Sequence, residues 1–193
     1  IYTRREMKLF LIFFGIFATA QTQAFKLISL GDFEFVQKKE VYGVNAEVLQ
    51  KKIGKDQSQY KLIYTFTDWC KPCREMMPQI ITFIHENESK VSPYFVTDLR
   101  KERDQKYLSN YLNSINFEFP VYNILLESNI DDRKGKYVKT SYDRFVQKLT
   151  KGHQNYGYGL ILLFDNDSHL LYKSTYLENH DQIIQNIKKL IIQ

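Results

Sequence analysis

Two cysteines three positions apart, between a predicted buried strand and a predicted amphipathic helix, constrain this chain more than any other feature. Residues 61–66 (KLIYTF) predict a buried strand, and residues 70–86 carry apolar side chains at the spacing of one helical face. Cys70 and Cys73 are the only cysteines in the sequence. A secreted scaffold stapled by several disulfides is therefore excluded.

This placement of Cys70 and Cys73 favours thiol–disulfide exchange. Backbone N–H groups and the helix dipole stabilise a thiolate at a helix N-terminus, and Cys-x-x-Cys in that setting lowers the pKa of the first thiol from about 8.5 to around 7 or below. The spacing lets the second sulfur resolve a mixed disulfide made by the first. We therefore expect Cys70 to be the exposed, low-pKa thiol and Cys73 the buried one.

Two other interpretations of the cysteine pair stay open at this point. One is a permanently oxidised structural bridge, although closing so short a loop constrains the unfolded chain little. The other is half of a metal site, but zinc usually takes four N or S ligands. His85 and His153 lie far along the chain and match no ligand spacing, so we predict no metal site.

Residues 1–24 are typical of a secretory signal peptide. Basic residues precede an apolar run at residues 9–20, which ends in an A-x-A sequence. An uncleaved membrane anchor is the alternative, but this run makes roughly 18 Å of helix, whereas a bilayer core needs about 30 Å. We therefore expect signal cleavage and no stable membrane insertion after it.

The predicted signal peptide sets the expected start and location of the mature protein. We expect translation to begin at Met7, cleavage to follow Ala20 or Ala24, and the mature domain to occupy residues 25–193. The protein would then be exported, to the periplasm or cell envelope. Its net charge of +5 comes from basic residues scattered among acids, a pattern that argues against a nucleic-acid partner.

Strand and helix patterns alternate along the mature chain and end in a hairpin and a helix. This order predicts an α/β fold, a three-layer α/β/α sandwich with a central mixed sheet. The predicted strands are residues 61–66, 91–97, 117–126, 160–164 and 169–174; the predicted helices are residues 45–54, with Asn45 as N-cap, and residues 70–86, 102–115, 137–151 and 183–191.

Residues 69–73 (WCKPC) resemble the W-C-x-P-C active site of the thioredoxin superfamily. The run through Pro78 is similar to the W-C-x-P-C-R-E-x-x-P of the exported TlpA/ResA-like branch, and residues 119–121 (FPV) are similar to another of its segments. The resemblance implies a thioredoxin-like fold and a thiol–disulfide oxidoreductase that reduces protein disulfides. It also implies a membrane or exported electron donor and no dissociable cofactor.

The resemblance further implies a substrate-binding surface beside the dithiol. Trp69 is expected to be a platform for docking partners, with Lys71 and Pro72 inside the motif. Tyr158 and Gly159 fall in the loop where the family carries a cis-proline that presents its backbone to the substrate. Since a cis bond before a residue other than proline costs about 2.5–4 kcal/mol, we expect a trans bond between Tyr158 and Gly159.

Other positions depart from the family pattern. The buried acid that often assists proton transfer is replaced by Tyr64, six before the first cysteine, and by Met76, three after the second. The acids nearest the thiols, Asp68 and Glu75, are interpreted as a helix N-cap or solvated surface, with a role in proton transfer as the alternative. Residues around 127–151 are interpreted as a helical insertion. These departures favour an alternative, a thioredoxin-like binding module or chaperone with a non-catalytic or regulatory CxxC.

Overall fold

A computed structural model describes residues 27–29, 40–100, 102–125, 141–152 and 157–191. The predicted signal peptide at residues 1–24 and the first part of the predicted insertion lie outside these ranges. Across the described ranges, no helix combines the length and the apolar character needed to span a bilayer.

Within the described residues, seven strands form one mixed sheet. In chain order they are β1 (Leu27–Ser29), β2 (Val41–Val44), β3 (Tyr60–Thr65), β4 (Val91–Thr97), β5 (Val121–Ile124), β6 (Ile161–Phe164) and β7 (Leu170–Lys173). Their order across the sheet is β1-β2-β5-β4-β3-β6-β7. The first five strands pair in parallel, β6 joins β3 antiparallel, and β7 joins β6 antiparallel.

Helices cover both faces of this sheet. They are α1 (Ala46–Lys55), α2 (Lys71–Glu86), α3 (Glu102–Ser114), α4 (Ser141–Leu149) and α5 (His180–Ile191). Helices α2, α3 and α5 contribute to one apolar core, which also takes Leu62 and Tyr64 from β3. Helices α1 and α4 contribute to a second core, which takes Ile63. Since neighbouring strand residues point to opposite faces, the predicted three-layer sandwich with a central mixed sheet is confirmed.

The local predictions differ from the structure mainly at the sheet edge. Strands β1 and β2 had no predicted counterpart; all four residues of β2 are buried, so no alternation of apolar and polar residues marks the strand. The extended segment predicted at residues 117–126 reduces to β5, which begins directly after Pro120. Proline has no N–H to give to a sheet ladder. Asn45 is the N-cap of α1 as predicted, accepting a hydrogen bond from the Val48 N–H.

Strand β3 carries the chain to the cysteines. It lies between β4 and β6, and all six of its residues are buried. Helix α2 starts at Lys71, one residue later than predicted, because Cys70 has extended backbone angles and acts as the N-cap. The buried face of α2, including Met77 and Ile80, fixes the helix against the sheet. The cysteines therefore lie where the chain leaves the carboxyl edge of the sheet.

Lys61 is a buried cation within β3. Its side chain has no exposed surface, and its Nζ donates hydrogen bonds to the carbonyl oxygens of Asp165 (3.2 Å) and Asn166 (2.9 Å). Both carbonyls belong to the turn between β6 and β7. Lys61 therefore ties the central strand to the closing hairpin.

Replacing this lysine should destabilise the fold. We expect Lys61→Met to lower the free energy of unfolding by about 1–3 kcal/mol, because two backbone carbonyl oxygens of the turn lose a charged donor. Lys51→Met, at an exposed position on α1, is the control and should change it by no more than about 0.5 kcal/mol. Urea unfolding followed by circular dichroism measures both; equal effects would contradict a role for Lys61 in holding the hairpin.

Candidate active site

Cys70 and Cys73 form a disulfide, with their Cα atoms 5.2 Å apart. Cys70 is half-buried, whereas Cys73 is only 1% exposed and lies in the core that packs beneath α2. Cys70 is therefore the more accessible of the two residues, and Cys73 is the buried one, as the sequence predicted. The lower pKa of the Cys70 thiol stays a prediction.

The N-terminus of α2 supplies the electrostatic environment of Cys70. The backbone N–H of Cys73 points at the Cys70 Sγ at 3.3 Å, so a thiolate at Cys70 would accept this hydrogen bond and gain from the helix dipole. Lys71 is exposed and lies 3.6 Å from Glu75 in a solvated ion pair. The charge of Lys71 is therefore solvated and paired, whereas the Cys73 N–H contacts the Cys70 sulfur itself.

The loop before β6 lies directly against the buried sulfur. Gly159 has φ +87°, and a Cβ added to it would lie 3.5 Å from the Cys73 Sγ. Its N–H donates to the carbonyl oxygen of Thr65 at 2.8 Å. The Tyr158–Gly159 bond is trans, as predicted, and the described residues contain no cis bond. Because proline is restricted to φ near −65°, the backbone here has a conformation that a proline cannot adopt.

Aromatic side chains form the surface next to the dithiol. Trp69 is 66% exposed and packs edge-on against the ring of Tyr158, with the ring centroids 5.3 Å apart. Pro72, Tyr158 and Gly159 line a cleft of about 290 Å³, which Tyr176 also borders. The structure thus gathers Trp69, Pro72, Tyr158 and Gly159 around the cysteines and leaves Lys71 at the solvent.

Tyr64 is one of the two residues that stand where the thioredoxin family often carries a buried acid. Its side chain ends in a hydroxyl and not in a carboxyl group. Its hydroxyl donates a hydrogen bond to the carbonyl oxygen of Cys73 at 2.7 Å. Burial raises the pKa of Tyr64 far above the usual tyrosine range, so the hydroxyl stays protonated. Tyr64 therefore anchors the first turn of α2 and does not act as a base.

Asp98 is a buried carboxylate that the sequence analysis did not identify. It follows β4 directly, and its Oδ2 accepts a hydrogen bond from the Tyr158 hydroxyl at 2.6 Å. Arg100 lies 2.7 Å from the same oxygen. The sequence did contain a signal for this residue. Strands β3 and β4 were both predicted, and the carboxyl ends of adjacent parallel strands meet at one edge of a sheet. A residue directly after β4 could therefore have been placed near the cysteines.

The interpretation of Asp68 as a helix N-cap is wrong, because Cys70 occupies that position. Asp68 is half-buried. Burial raises the pKa of its carboxyl, and the charge of Asp104 raises it further while Arg74 opposes the shift. Glu75 is solvated, as predicted, and pairs with Lys71.

In the part of the chain that the structure describes, no three His, Cys, Asp or Glu side chains lie close enough together to hold an ion. His153 lies outside that part.

Comparisons with known proteins establish the fold. No family model matches the sequence, and no curated protein matches it. Among solved structures, the chain is similar to a thioredoxin-like protein in its oxidised form (TM-score 0.51, 15% identity, 77% of this chain and 83% of that chain covered). This likeness shows that the chain has a thioredoxin-like fold, as the resemblance of residues 69–73 implied.

Two further solved structures are similar at lower scores. One is a thiol:disulfide interchange protein of the thioredoxin family from Chlorobium tepidum (TM-score 0.49, 12% identity, 76% of this chain and 90% of that chain covered). The other is the thioredoxin domain of a thiol-disulfide oxidoreductase from Bacteroides vulgatus (TM-score 0.47, 14% identity, 69% and 80% covered).

The unequal exposure of the two sulfurs predicts unequal reactivity after reduction. We expect iodoacetamide at neutral pH to alkylate Cys70 at least about tenfold faster than Cys73, because only Cys70 is accessible and placed at the helix N-terminus. Peptide mapping by mass spectrometry at limiting reagent measures the ratio. Protein reduced and unfolded in guanidinium is the control, in which the two rates should converge; equal rates in the folded protein would contradict the assignment.

Proposed function

We propose that this chain is an exported thiol–disulfide oxidoreductase that reduces protein disulfides through Cys70 and Cys73. The observation that carries the proposal is the position of the pair at the N-terminus of α2, with Cys70 half-buried, Cys73 buried and a cleft lined by Pro72 and Tyr158 beside them. A bridge with a purely structural role has no need of an accessible sulfur or of a backbone N–H directed at it.

In the reduced state, the Cys70 thiolate attacks one sulfur of a substrate disulfide. The substrate S–S bond breaks, a mixed disulfide forms, and the other substrate sulfur leaves as a thiolate and takes up a proton. Cys73, after losing its proton, then attacks the Cys70 sulfur. The mixed disulfide breaks, the second substrate thiol is released, and the Cys70–Cys73 bond closes. Two electrons pass from the protein dithiol to the substrate, which gains two protons.

Export and the reducing direction rest on the N-terminus and on the TlpA/ResA-like motif. Residues 1–24 have the pattern of a signal peptide, and compartments outside the cytoplasm favour disulfides. A reductant working there has to be reduced again after each cycle. We therefore propose a membrane or exported electron donor as the second partner, beside protein disulfide substrates.

A binding module is the second candidate function. It is favoured by Tyr64, which replaces an acid with a hydroxyl that stays protonated, and by Gly159, whose backbone differs from that of a cis-proline. In this case the aromatic surface around Trp69 holds a partner and the cysteines have no turnover. The two candidates differ in what the cysteine variants do.

Insulin reduction by dithiothreitol separates these candidates. We expect the wild-type protein to accelerate insulin precipitation and Cys70→Ser to abolish the acceleration, because the attacking thiolate is lost. In a separate reaction without dithiothreitol, Cys73→Ser that has been reduced beforehand should accumulate mixed disulfides with insulin chains on non-reducing gels, while Cys70→Ser should trap almost none. The two serine variants control for each other. Equal trapping by both, or a wild type no faster than dithiothreitol alone, would contradict the proposed reaction.

A further inference from the structure

We propose that Asp98 and Tyr158 act as a positioning pair that holds the loop before β6 in a form able to bind protein disulfides. The inference rests on the proposed function and adds a determinant of substrate affinity to it. Neither residue is assigned to the reacting atoms. Both act through the loop that carries Gly159 against the Cys73 sulfur.

Tyr158 is held on three sides. Its hydroxyl donates to the Asp98 carboxylate at 2.6 Å. Its ring packs against the ring of Tyr142 on α4, with centroids 4.3 Å apart, and meets the edge of Trp69 at 5.3 Å. A single side chain therefore connects a buried charge, helix α4 and the exposed tryptophan beside Cys70.

Asp98 is an anchor that the fold holds firmly. Its side chain has no exposed surface, and a buried carboxylate is stable only when it is paired and hydrogen-bonded. Oδ2 accepts from Tyr158 and from Arg100, whereas Oδ1 is buried and has no hydrogen-bond partner in the described parts of the chain. Since half of the carboxylate already lacks a partner, loss of the Tyr158 hydroxyl would be poorly compensated.

The backbone around Tyr158 needs such an anchor. Gly157 and Gly159, on either side of it, both have positive φ (+98° and +87°), a region that glycine enters and leaves at little cost. Hydrogen bonds fix the two flanks: the Tyr142 hydroxyl donates to the Gly157 carbonyl oxygen at 2.7 Å, and the Gly159 N–H donates to that of Thr65 at 2.8 Å. Between these points, the contacts of the Tyr158 side chain with Asp98, Tyr142 and Trp69 set the path of the loop.

The affinity for a protein substrate depends on the fraction of molecules whose loop before β6 is in the form able to bind it. If only a fraction of molecules hold the loop in place, the apparent dissociation constant rises by the inverse of that fraction. Attack by Cys70 on a small disulfide, which needs little contact with the loop, would be unaffected. The pair should therefore alter the half-saturating concentration of a protein substrate and not the reactivity of the dithiol itself.

The test compares Tyr158→Phe with a matched control, Tyr94→Phe. The Tyr94 hydroxyl also donates to a carboxylate at 2.6 Å, that of Asp56, which precedes β3 and lies at the other end of the sheet from the cysteines. Each reduced protein is mixed with increasing insulin, or with hydroxyethyl disulfide, and its oxidation is followed in a single turnover. We expect Tyr158→Phe to raise the half-saturating insulin concentration by up to about tenfold, the limit set by losing one hydrogen bond to a carboxylate. We expect the maximum rate of Tyr158→Phe with insulin and its rate with hydroxyethyl disulfide to match those of the wild type. All values for Tyr94→Phe should match the wild type as well.

Variants at Asp98 separate a hydrogen bond from a charge effect. Asp98→Asn keeps a partner for the Tyr158 hydroxyl and should bind insulin like the wild type, whereas Asp98→Ala should resemble Tyr158→Phe. Because the two residues act through one contact, the double variant Tyr158→Phe/Asp98→Ala should be no weaker than either single variant.

Trp69 gives a readout that does not depend on activity. It is the only tryptophan in the sequence, so its fluorescence anisotropy reports the motion of one side chain. We expect lower anisotropy in Tyr158→Phe and no change in Tyr94→Phe. If the wild-type protein reacts with insulin and Tyr158→Phe is unchanged in half-saturating concentration and in anisotropy, the inference is overturned but the proposed function is not. Wild-type protein that does not react with insulin at all would overturn the proposed function and the inference with it.

Discussion

The hydrogen bond from the Cys73 N–H to the Cys70 sulfur depends on where α2 begins. Cys70 is the N-cap and Lys71 the first helical residue, so the Cys73 N–H in the first turn of the helix points at the Cys70 sulfur. The buried strand β3 and the apolar face of α2 hold this junction at the carboxyl edge of the sheet. Site chemistry therefore depends on core packing at a distance from the cysteines.

The loop before β6, which lies against the Cys73 sulfur, differs from its counterpart in the thioredoxin family. In the thioredoxin family a cis-proline is expected to fix the loop beside the dithiol, whereas here two glycines with positive φ flank Tyr158. Glycine restricts the backbone less than proline does, and the Tyr158 side chain between the two glycines contacts Asp98 and Tyr142. Helix α4, within the segment interpreted as an insertion, thus contributes directly to the architecture of the site.

The sequence predicted the parts of the fold that are encoded locally. Helix α2 and strand β3 have apolar patterns that identify them, and Asn45 has a side chain suited to an N-cap, so these predictions are confirmed. The pairing of Tyr158 with Asp98 joins residues 60 positions apart, and no periodicity encodes such a contact. Strand β2 was missed because a short, fully buried segment shows no alternation.

A redox titration of the Cys70–Cys73 bond tests the central claim most directly. The protein is equilibrated in dithiothreitol buffers of graded potential, and the fraction of alkylatable thiol is measured together with Trp69 fluorescence and circular dichroism. We expect a reversible two-electron transition in the folded protein, with a tenfold change in the ratio of dithiol to disulfide for about every 30 mV. A bond that stays closed until the protein unfolds would contradict it and identify the pair as a structural bridge.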